Sequence, residues 1–277
     1  MLKLSKFLRK WRKRQNRKLY GLESEHSIAV FVSYPKSGRT WLRVIFDELG
    51  VTLKYSHDGM GVSKLRSFKK RSHCVRSSYR RKPVVFLSRD PRDTVVSAYF
   101  HSKLRVGNYT DDITQFIRDP RHGIEKIVLF NLAWFERGPR LPAFLPITYE
   151  ETSADPFAVV RQIADFISAE LEDTDIRKVV SDNTFEKMHK RESGDEYRQR
   201  YEWELSPGSP NEPESYKMRR GKIGGFVDYL SAEDITYCNE ILDRHRYFEG
   251  IEKGPRRQSS IWPRRASDTG GDQWTGR

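Results

Sequence analysis

The sequence predicts an α/β domain in three layers, with a central parallel sheet flanked by helices. Four short apolar runs, interpreted as strands, occur at 28–33, 51–56, 83–88 and 144–149. Each run is apolar throughout rather than alternating, which is typical of strands that are covered on both faces. Helical patterns alternate with these strands, at 39–49, 91–104, 112–118, 123–137, 156–169, 173–181 and 231–246.

One domain is predicted between residues 26 and 250, with a different composition on either side. A chain of 277 residues is long enough to bury a sizeable core. Residues 190–222 are polar, charged and rich in Gly and Pro without a clear period, which predicts a long loop or lid within the domain. Residues 251–277 are rich in Arg, Ser and Gly, and we predict a disordered tail there.

The first 25 residues form a basic amphipathic segment. Residues 1–20 contain nine Lys and Arg and no acid, and apolar residues recur at Leu4, Phe7, Leu8 and Trp11. This spacing predicts a helix that could lie in an anionic membrane surface, with its cations on the headgroups. A disordered basic leader and a helix packed on its own domain are the open alternatives.

The composition indicates a globular protein that binds an anionic partner. Hydrophobic residues make up 36% of the chain, the formal net charge is +13 and the pI is about 9.7. An anionic ligand, a nucleic acid or an anionic membrane surface each fits this charge. Cys74 and Cys238 lack metal-binding spacing, and no run approaches the roughly 18 apolar residues of a membrane span. We therefore predict a cytoplasmic protein without a metal site, with peripheral membrane contact through residues 1–20 as an option.

The predicted strand at 28–33 leads into the sequence YPKSGRTW, residues 34–41, which we name the first loop. In parallel sheets, ligands bind beyond the carboxyl ends of the strands. Gly38 allows close backbone approach at a helix N-terminus, whose amides favour an anion, and Lys36 adds a full charge. A nucleoside-triphosphate loop would read G-x-x-x-x-G-K-[ST]. Here Arg39 replaces that lysine and Ser33 replaces the first glycine, which disfavours Walker-type ATPase chemistry.

A second anion site is predicted where the strand at 83–88 ends. Arg89 follows the strand, and Asp90 and Pro91 suit the N-cap and first position of a helix. A magnesium-dependent kinase usually has a metal-binding acid at such a strand end. Arg89 is instead a bidentate phosphate binder, and Ser97 lies nearly two turns into the helix, facing the same way. Arg89 and Ser97 therefore predict a phosphate site that needs no metal.

Four ordered motifs resemble those of the sulfotransferases that use 3′-phosphoadenosine 5′-phosphosulfate (PAPS). The first loop resembles their 5′-phosphosulfate loop, and LSRDPRDTVVSAYF (87–100) resembles their 3′-phosphate motif. ITYEETSADP (147–156) is similar to their Y-E-D segment, and MRRGKIGGF (218–226) to their R-K-G-x-x-G-x-W loop. The resemblance implies the P-loop-NTPase-like sulfotransferase fold. It also implies sulfuryl transfer from PAPS to an acceptor hydroxyl, with the desulfated nucleotide (PAP) as product and no metal.

The same resemblance implies roles for individual residues. Lys36 would stabilise charge on the oxygen that bridges the sulfur and the leaving phosphate. The first-loop residues expected to contact the 5′-phosphate are Lys36, Ser37, Gly38, Arg39 and Thr40. The residues expected to contact the 3′-phosphate are Arg89, Ser97, Arg219, Arg220 and Gly221. The residues expected on the adenine side are Trp41, Tyr149 and Thr184.

The base that removes the acceptor's proton is expected among the histidines. Family members place it just after the second core strand, in a K-T-H context that Lys54-Tyr55-Ser56-His57 resembles. We therefore assign His57 as the base. His73, in a basic linker, and His101, in a helix, are the other candidates. Asp58 could orient His57 or face solvent.

Three features depart from the family pattern. Arg39 replaces a small hydroxyl-bearing residue, and Gly225-Phe226 replaces Asp-Trp. The segment SKLRSFKKRSHCVRSSYRRK, residues 63–82, is basic where a phenol pocket would be apolar. This segment predicts a polar or anionic acceptor such as a glycan, unless it is only a solvated charged face.

Two rival functions fit some features of the sequence. A P-loop kinase or other nucleotide phosphotransferase would need a metal-binding acid and a complete Walker loop, which the motifs lack. A nucleic-acid-binding protein would explain the basic charge. The basic excess, however, is concentrated in the two flanks and one linker, without interleaved aromatic residues. Nucleic acid is therefore not the expected partner.

Overall fold

A computed structural model describes residues 27–58, 77–193, 208–209 and 211–252 of the chain. Within these segments the strands are β1 (Ala29–Ser33), β2 (Leu53–Ser56), β3 (Val84–Ser88) and β4 (Phe144–Thr148). They pair in parallel in the order β2-β1-β3-β4. The predicted parallel sheet is confirmed, and each strand lies within two residues of its expected bounds.

Helices connect and cover the strands. In chain order they are α1 (Arg39–Glu48), α2 (Pro91–Phe100), α3 (Ile113–Arg118), α4 (Ile124–Arg137), α5 (Tyr149–Ala154), α6 (Pro156–Phe166), α7 (Asp173–Asp182), α8 (Phe185–Ser193), α9 (Ala232–Arg244) and α10 (Tyr247–Glu252). Asp90 caps α2 by accepting from the Arg92 amide, with Pro91 at the first position, as the sequence predicts. Seven of these helices coincide with the predicted helical patterns.

The other three helices, α5, α8 and α10, are not predicted by the sequence. α5 is a six-residue helix that begins with a capping box between Thr148 and Glu151. α8 enters the region predicted as a loop at 190–222. α10 continues the domain beyond its predicted boundary at 250, as far as Glu252, because Ile251 is buried. The pattern predicted as one helix over 91–104 is α-helical only to Phe100 and continues as a π-helical turn, His101–Val106.

The core lies in two layers on opposite faces of the sheet. All residues of β1 and β3 are buried, so each strand contributes to both layers. Val32 and Phe86 pack with α4 and α9 on one face. Phe31 and Val85 pack with α1 and α6 on the other. This three-layer packing explains why the strands are apolar throughout, and it fixes the edge of the sheet where the strands end.

Several predicted features lie outside the described residues. They are the basic segment 1–25, residues 63–76 of the basic linker with His73, residues 194–207 of the predicted lid, and residues 253–277 of the predicted tail. Among the residues that the structure describes, no helix has the length and apolar character needed to cross a membrane.

Candidate active site

The carboxyl edge of the sheet borders a cavity of about 440 Å³. Residues that follow all four strands line it, including Lys36 after β1, His57 after β2, Arg89 after β3 and Tyr149 after β4. This is the edge at which a parallel sheet is expected to bind ligands. The sequence-predicted site residues that line the cavity are Lys36, Gly38, Arg39, Thr40, Trp41, His57, Arg89, Ser97, Tyr149, Arg219, Arg220 and Gly221.

The first loop leaves the N-terminus of α1 open to a ligand. Gly38 is the N-cap, with φ 92°, and no side chain caps the helix. The first amides of α1 therefore remain for an anion. A Cβ atom at position 38 would lie 2.4 Å from Cδ2 of Tyr149, so glycine is required by space as well as by backbone conformation. Lys36 also has a positive φ, 72°, a conformation that is strained for a residue with a side chain.

Lys36 is the cation of the first loop. Its half-buried side chain lines the cavity, and within the described segments its ammonium has no hydrogen-bond or ion-pair partner. Burial, together with the charges of Lys217 and Arg105, lowers the pKa of Lys36 well below its ordinary value. An anion bound beside Lys36 would offset both effects and raise that pKa.

Trp41 and Tyr149 form an aromatic corner of the cavity. The indole Nε1 of Trp41 donates to the Asn183 carbonyl at 2.7 Å, and the Tyr149 hydroxyl donates to the Gly221 carbonyl at 3.0 Å. The two rings meet edge to face with centroids 6.4 Å apart. Both rings are therefore held in place by backbone acceptors, which suits contact with a planar base.

Arg89 and Ser97 line the same cavity, as their spacing predicts. The guanidinium of Arg89 lies over the Tyr149 ring, with its carbon 4.3 Å from the ring centroid. Its Nη2 donates to the Lys222 carbonyl at 3.1 Å and lies 3.6 Å from the Asp93 carboxylate. Its Nε is buried and has no hydrogen-bond partner among the residues that the structure describes. Arg89 thus lines the cavity while one of its donors is unsatisfied.

The segment 218–226, which we name the closing loop, is anchored by a buried carboxylate. Asp93 accepts from the Gly224 amide at 2.9 Å and from the Phe226 amide at 3.0 Å. Burial raises the pKa of Asp93, while Arg89 opposes that shift. The replacement of the family's Asp-Trp by Gly225-Phe226 therefore leaves the loop ordered, because the anchoring is made by backbone amides.

The cations of the closing loop are paired with acids. Arg219 donates to Glu214 at 2.7 Å, and the Lys222 ammonium lies 2.9 Å from the Asp228 carboxylate. Arg220 lies 3.4 Å from both Glu214 and Asp228. Within the described part of the chain, the Nε of Arg219 is nevertheless buried without a hydrogen-bond partner, as is that of Arg89.

His57 is held in one orientation at the end of β2. Its Nδ1 lies 2.8 Å from the Ser33 carbonyl, which can only accept, so Nδ1 carries the proton. Its Nε2 accepts from Nη2 of Arg39 at 2.7 Å. Burial, with a further contribution from the Arg39 charge, lowers the pKa of His57 to about 3. The imidazole is therefore neutral, and its lone pair contacts Arg39.

The Ser33 carbonyl accepts from Nδ1 of His57, so the Asp58 carboxylate does not orient the imidazole through that nitrogen. The Asp58 carboxylate instead accepts from the Tyr79 hydroxyl at 2.8 Å. His101 also lines the cavity, and its buried Nδ1 has no hydrogen-bond partner in the segments 27–58, 77–193, 208–209 and 211–252. Burial and the charge of Lys36 lower the pKa of His101 to about 3.

Two of the expected residues are not among those lining the cavity. Ser37 is fully buried within the first loop, and Thr184 accepts weakly from the Lys187 amide at the start of α8. Phe185, the next residue, lines the cavity instead.

Sequence reasoning missed Lys217, Asp93 and Arg43. Lys217 directly precedes the closing loop and Asp93 follows Arg89 by one helical turn, so adjacency to the motifs was the available signal.

Among the described residues, no group of three or more His, Cys, Asp or Glu is placed to hold a metal ion.

Known proteins resemble this chain in sequence over a portion of its length. Luciferin sulfotransferase from Photinus pyralis is 26% identical over 170 residues, covering 58% of this chain and 43% of that protein. Sulfotransferase 2B1 from Homo sapiens is 36% identical over 113 residues, covering 38% of this chain and 30% of that protein. The chain thus matches less than half the length of these two curated relatives.

Solved structures share the fold over most of the chain. Mouse sulfotransferase SULT7A1, solved in complex with PAP, has a TM-score of 0.59 at 18% identity and covers 82% of this chain and 89% of its own. Retinol dehydratase, in complex with androsterone and inactive cofactor PAP, has a TM-score of 0.55 at 16% identity, with 83% and 82% covered. The family model described as "Sulfotransferase domain" matches residues 65–251, which is more than half of the chain. On this match, and with the fold in agreement, the chain belongs to the sulfotransferase family.

Proposed function

We propose that this chain transfers the sulfuryl group of PAPS to an acceptor hydroxyl. The observation that carries the proposal is a set of unpaired cationic donors around one cavity. The Lys36 ammonium and the buried Nε atoms of Arg89 and Arg219 have no partner within the segments that the structure describes. Buried donors such as the two Nε atoms are normally satisfied, and the half-buried Lys36 ammonium lines the cavity, so these three are suited to a ligand with separate anionic groups. PAPS has two such groups, at its 5′ and 3′ ends.

The proposed chemistry is a displacement at sulfur. The acceptor hydroxyl gives its proton to Nε2 of His57, and its oxygen forms a bond to sulfur. The bond from sulfur to the oxygen of the 5′-phosphate breaks, and the electron pair stays with PAP. Lys36 would stabilise the charge that develops on this oxygen. The fixed tautomer of His57 supports its role as base, because Nε2 is the nitrogen that lacks a proton.

The nucleotide would lie across both loops. Thr40, Gly38 and the open N-terminus of α1 are suited to the 5′ end, and Arg89, Ser97, Arg219 and Arg220 to the 3′-phosphate. Trp41 and Tyr149 would contact the adenine. Ser37, Gly221 and Thr184 remain in the proposed nucleotide site on the resemblance of their motifs. No step of this proposal uses a metal.

We further propose a polar or anionic acceptor. Arg43 and Lys217 line the cavity in addition to the cations assigned to the nucleotide. Arg43 also pairs with Asp47 at 3.6 Å. The positive potential of the cavity as a whole favours a carboxylated or sulfated molecule such as a glycan over an apolar phenol or steroid. A screen that follows sulfur transfer from labelled PAPS to phenols, sterols and uronic-acid oligosaccharides would identify the class.

Nucleotide binding tests the reaction class. Isothermal titration calorimetry should show binding of PAP, and much weaker binding of adenosine 5′-phosphosulfate, because the unpaired Arg89 donor would lose its phosphate. ATP–magnesium and single-stranded DNA serve as the comparison ligands. Tight ATP binding, or transfer that EDTA abolishes and magnesium restores, would favour a kinase. Tight DNA binding without PAP binding would favour a nucleic-acid-binding protein.

We also propose that residues 1–20 bring a cytoplasmic enzyme to anionic membrane surfaces. The basis is the amphipathic pattern of that segment and its nine cations. The full chain should sediment with anionic vesicles at low salt, and deletion of residues 2–18 should release it while PAP still binds. Equal sedimentation of both proteins would remove this proposal.

A further inference from the structure

Arg39 contacts the group that the proposed reaction needs as a base. Its Nη2 donates to Nε2 of His57 at 2.7 Å, and its Nη1 donates to the Ser56 carbonyl at 3.0 Å. Nη1 also lies 3.4 Å from Nδ1 of His57, but both atoms are donors, so this is only a contact. The guanidinium is thus fixed against the end of β2 by two hydrogen bonds, one of which uses the imidazole lone pair.

This contact prevents His57 from acting as a base. The imidazole Nε2 has one lone pair, which cannot accept from Arg39 and from an acceptor hydroxyl at the same time. A guanidinium does not lose its proton in proteins, so Arg39 cannot relay the acceptor's proton. Proton transfer to His57 therefore requires that Arg39 leave Nε2.

The position of Arg39 indicates what could draw it away. Arg39 is the first residue of α1, directly after Gly38, and its side chain lines the cavity together with Lys36. It is half-buried rather than enclosed, so its side chain can change rotamer without a change in the backbone. A planar guanidinium binds the oxygens of a sulfuryl, phosphate or carboxylate group more strongly than it binds a neutral imidazole.

We propose that Arg39 caps His57 in the ligand-free protein and moves to an anionic oxygen group when the site fills, so that the base becomes available only in the loaded site. The anionic group is the sulfuryl end of the donor or a carboxylate or sulfate of the acceptor. This inference rests on the proposed function. It gives a chemical role to the residue at which the first loop departs from the family pattern.

If the acceptor supplies the anionic group, the capped state has a physical benefit for a sulfotransferase. An available base beside PAPS would also take a proton from water, and the donor would be hydrolysed. While Arg39 holds Nε2, the imidazole can activate neither water nor acceptor. If the acceptor supplies the anionic group, the cap also selects acceptors that carry a charge near the reacting hydroxyl.

The experiment is nuclear magnetic resonance of the full chain with isotope-labelled histidine. The chain has seven histidines, and a His57→Gln variant assigns the His57 signal. The titration of His57 is followed in the free protein, with PAP, with PAPS, and with PAP plus glucuronate. The charged groups near His57 are Arg39 and Lys217, with the Ser33 carbonyl on Nδ1. We expect the proton affinity of His57 to rise at least tenfold with PAPS.

The arms of the experiment distinguish the sources of the anion. A rise with PAPS but not with PAP identifies the sulfuryl group, and a rise only with PAP plus glucuronate identifies the acceptor's anion. A rise with PAP alone would overturn the inference as stated, because PAP carries neither the sulfuryl group nor an acceptor anion. Unchanged His57 signals in all three arms, with PAP binding demonstrated by calorimetry, would overturn the inference and leave the proposed function standing. Absence of PAP binding would instead contradict the proposed function, and with it the switch.

Variants test the cap without any ligand. Arg39→Thr should raise the proton affinity of His57 at least tenfold in the free protein, while Arg39→Lys, which keeps the charge, should raise it less. Arg43→Thr is the matched control, because Arg43 also lies over the Tyr55 ring and forms an ion pair with Asp47. An Arg39→Thr protein that unfolds at the wild-type temperature and retains the wild-type His57 titration would overturn the cap.

Discussion

The first loop and the closing loop both present cations to the cavity, but those cations have different surroundings. In the first loop, Lys36 has no partner among the described residues and has a strained backbone two residues before Gly38. In the closing loop, Arg219 and Lys222 are already paired with Glu214 and Asp228. An anion that binds at the first loop can pair with the Lys36 ammonium without displacing a carboxylate. An anion that binds at the closing loop must compete with the carboxylates already paired there.

This difference indicates how the two ends of a nucleotide would be recognised. The first loop is preorganised, so binding there requires little rearrangement. A ligand that binds the closing loop must replace its internal ion pairs, and the Glu214 and Asp228 carboxylates then lose their partners. Most of the affinity should therefore depend on the first loop, and the closing loop should contribute mainly to discrimination.

The largest expected effect concerns His57, which lies beside the first loop. His57→Ala should lower turnover by about 10²- to 10⁴-fold, the range for loss of a general base, with little change in PAP affinity. Turnover with an acceptor found by the sulfur-transfer screen, and calorimetry with PAP, are the two measurements. Near-normal turnover would assign the base to another residue, and His101→Ala should then be the variant that fails.

Lys36→Ala and Lys222→Ala compare the two loops directly. Removal of the unpaired Lys36 charge should weaken PAP binding about 30- to 1000-fold, as for truncation of a charged group that binds a charged ligand. Lys222 is about half exposed and paired with Asp228, so its removal should weaken PAP binding less than about fivefold. Calorimetry of both variants measures the ratio. Equal losses would contradict the distinction between the two loops.

Two glycines provide a matched test of backbone fit. Both Gly38 and Gly224 have positive φ, but a Cβ at 38 would collide with Tyr149, whereas one at 224 meets nothing within 4 Å. Gly224→Ala should cost about 1–2 kcal/mol of folding free energy, from backbone strain alone. Gly38→Ala adds overpacking of about 1–3 kcal/mol. Denaturant unfolding of both variants would measure the difference. A Gly38→Ala protein more stable than Gly224→Ala would show that the Tyr149 ring moves to make room for the Cβ atom.

A pH dependence of stability is expected from Glu150, which is buried and accepts from the Asp90 amide. Burial raises the pKa of Glu150 to about 7, from a model-peptide value of 4.5. The folded protein then holds this proton more tightly than the unfolded chain does. The contribution is fully present below pH 4.5 and is lost as the pH rises to 7, by up to about 3 kcal/mol. Glu150→Gln keeps an acceptor for the Asp90 amide and should flatten the stability between these pH values.

An unchanged pH profile in Glu150→Gln would show that Glu150 is ionised in the folded protein. Urea unfolding at several pH values between 4 and 8 makes the comparison. The wild-type protein and the variant should converge below pH 4.5.

The sheet was predictable because its strands are buried on both faces, so their sequences are apolar without interruption. The missed helices carry weaker patterns. The capping box of α5, at Thr148 and Glu151, can be recognised in the sequence. The helix is only six residues long, however, which is too short to show a helical repeat of apolar residues. α8 is highly charged and buries little besides Met188 and Glu192, so its composition is that of a loop. The length of a helix and the number of apolar residues that it buries, rather than its intrinsic helix propensity, decide whether it can be predicted from the sequence.

The site was predictable where local motifs meet the strand ends, and not where partners come from distant segments. The spacing of Arg89 and Ser97 predicts a shared face, and the structure has it. Nothing near Arg39 in the sequence indicates that its guanidinium reaches His57, because the contact depends on how β1 and β2 pair. The internal ion pairs of the closing loop depend in the same way on Glu214 and Asp228, whose positions follow from tertiary packing.

The hydrogen bond from His57 to the Ser33 carbonyl has a consequence for the evolution of this protein. Val32 is opposite Ser56 in the sheet, so the next residue of each strand brings the imidazole to that carbonyl. The orientation of the imidazole is therefore inherited from strand register, which the buried core specifies, and not from a neighbouring side chain that could mutate. Loops that select an acceptor can diverge between descendants while the imidazole keeps its direction. Under the proposed function, acceptor specificity would change while the direction of the imidazole is retained.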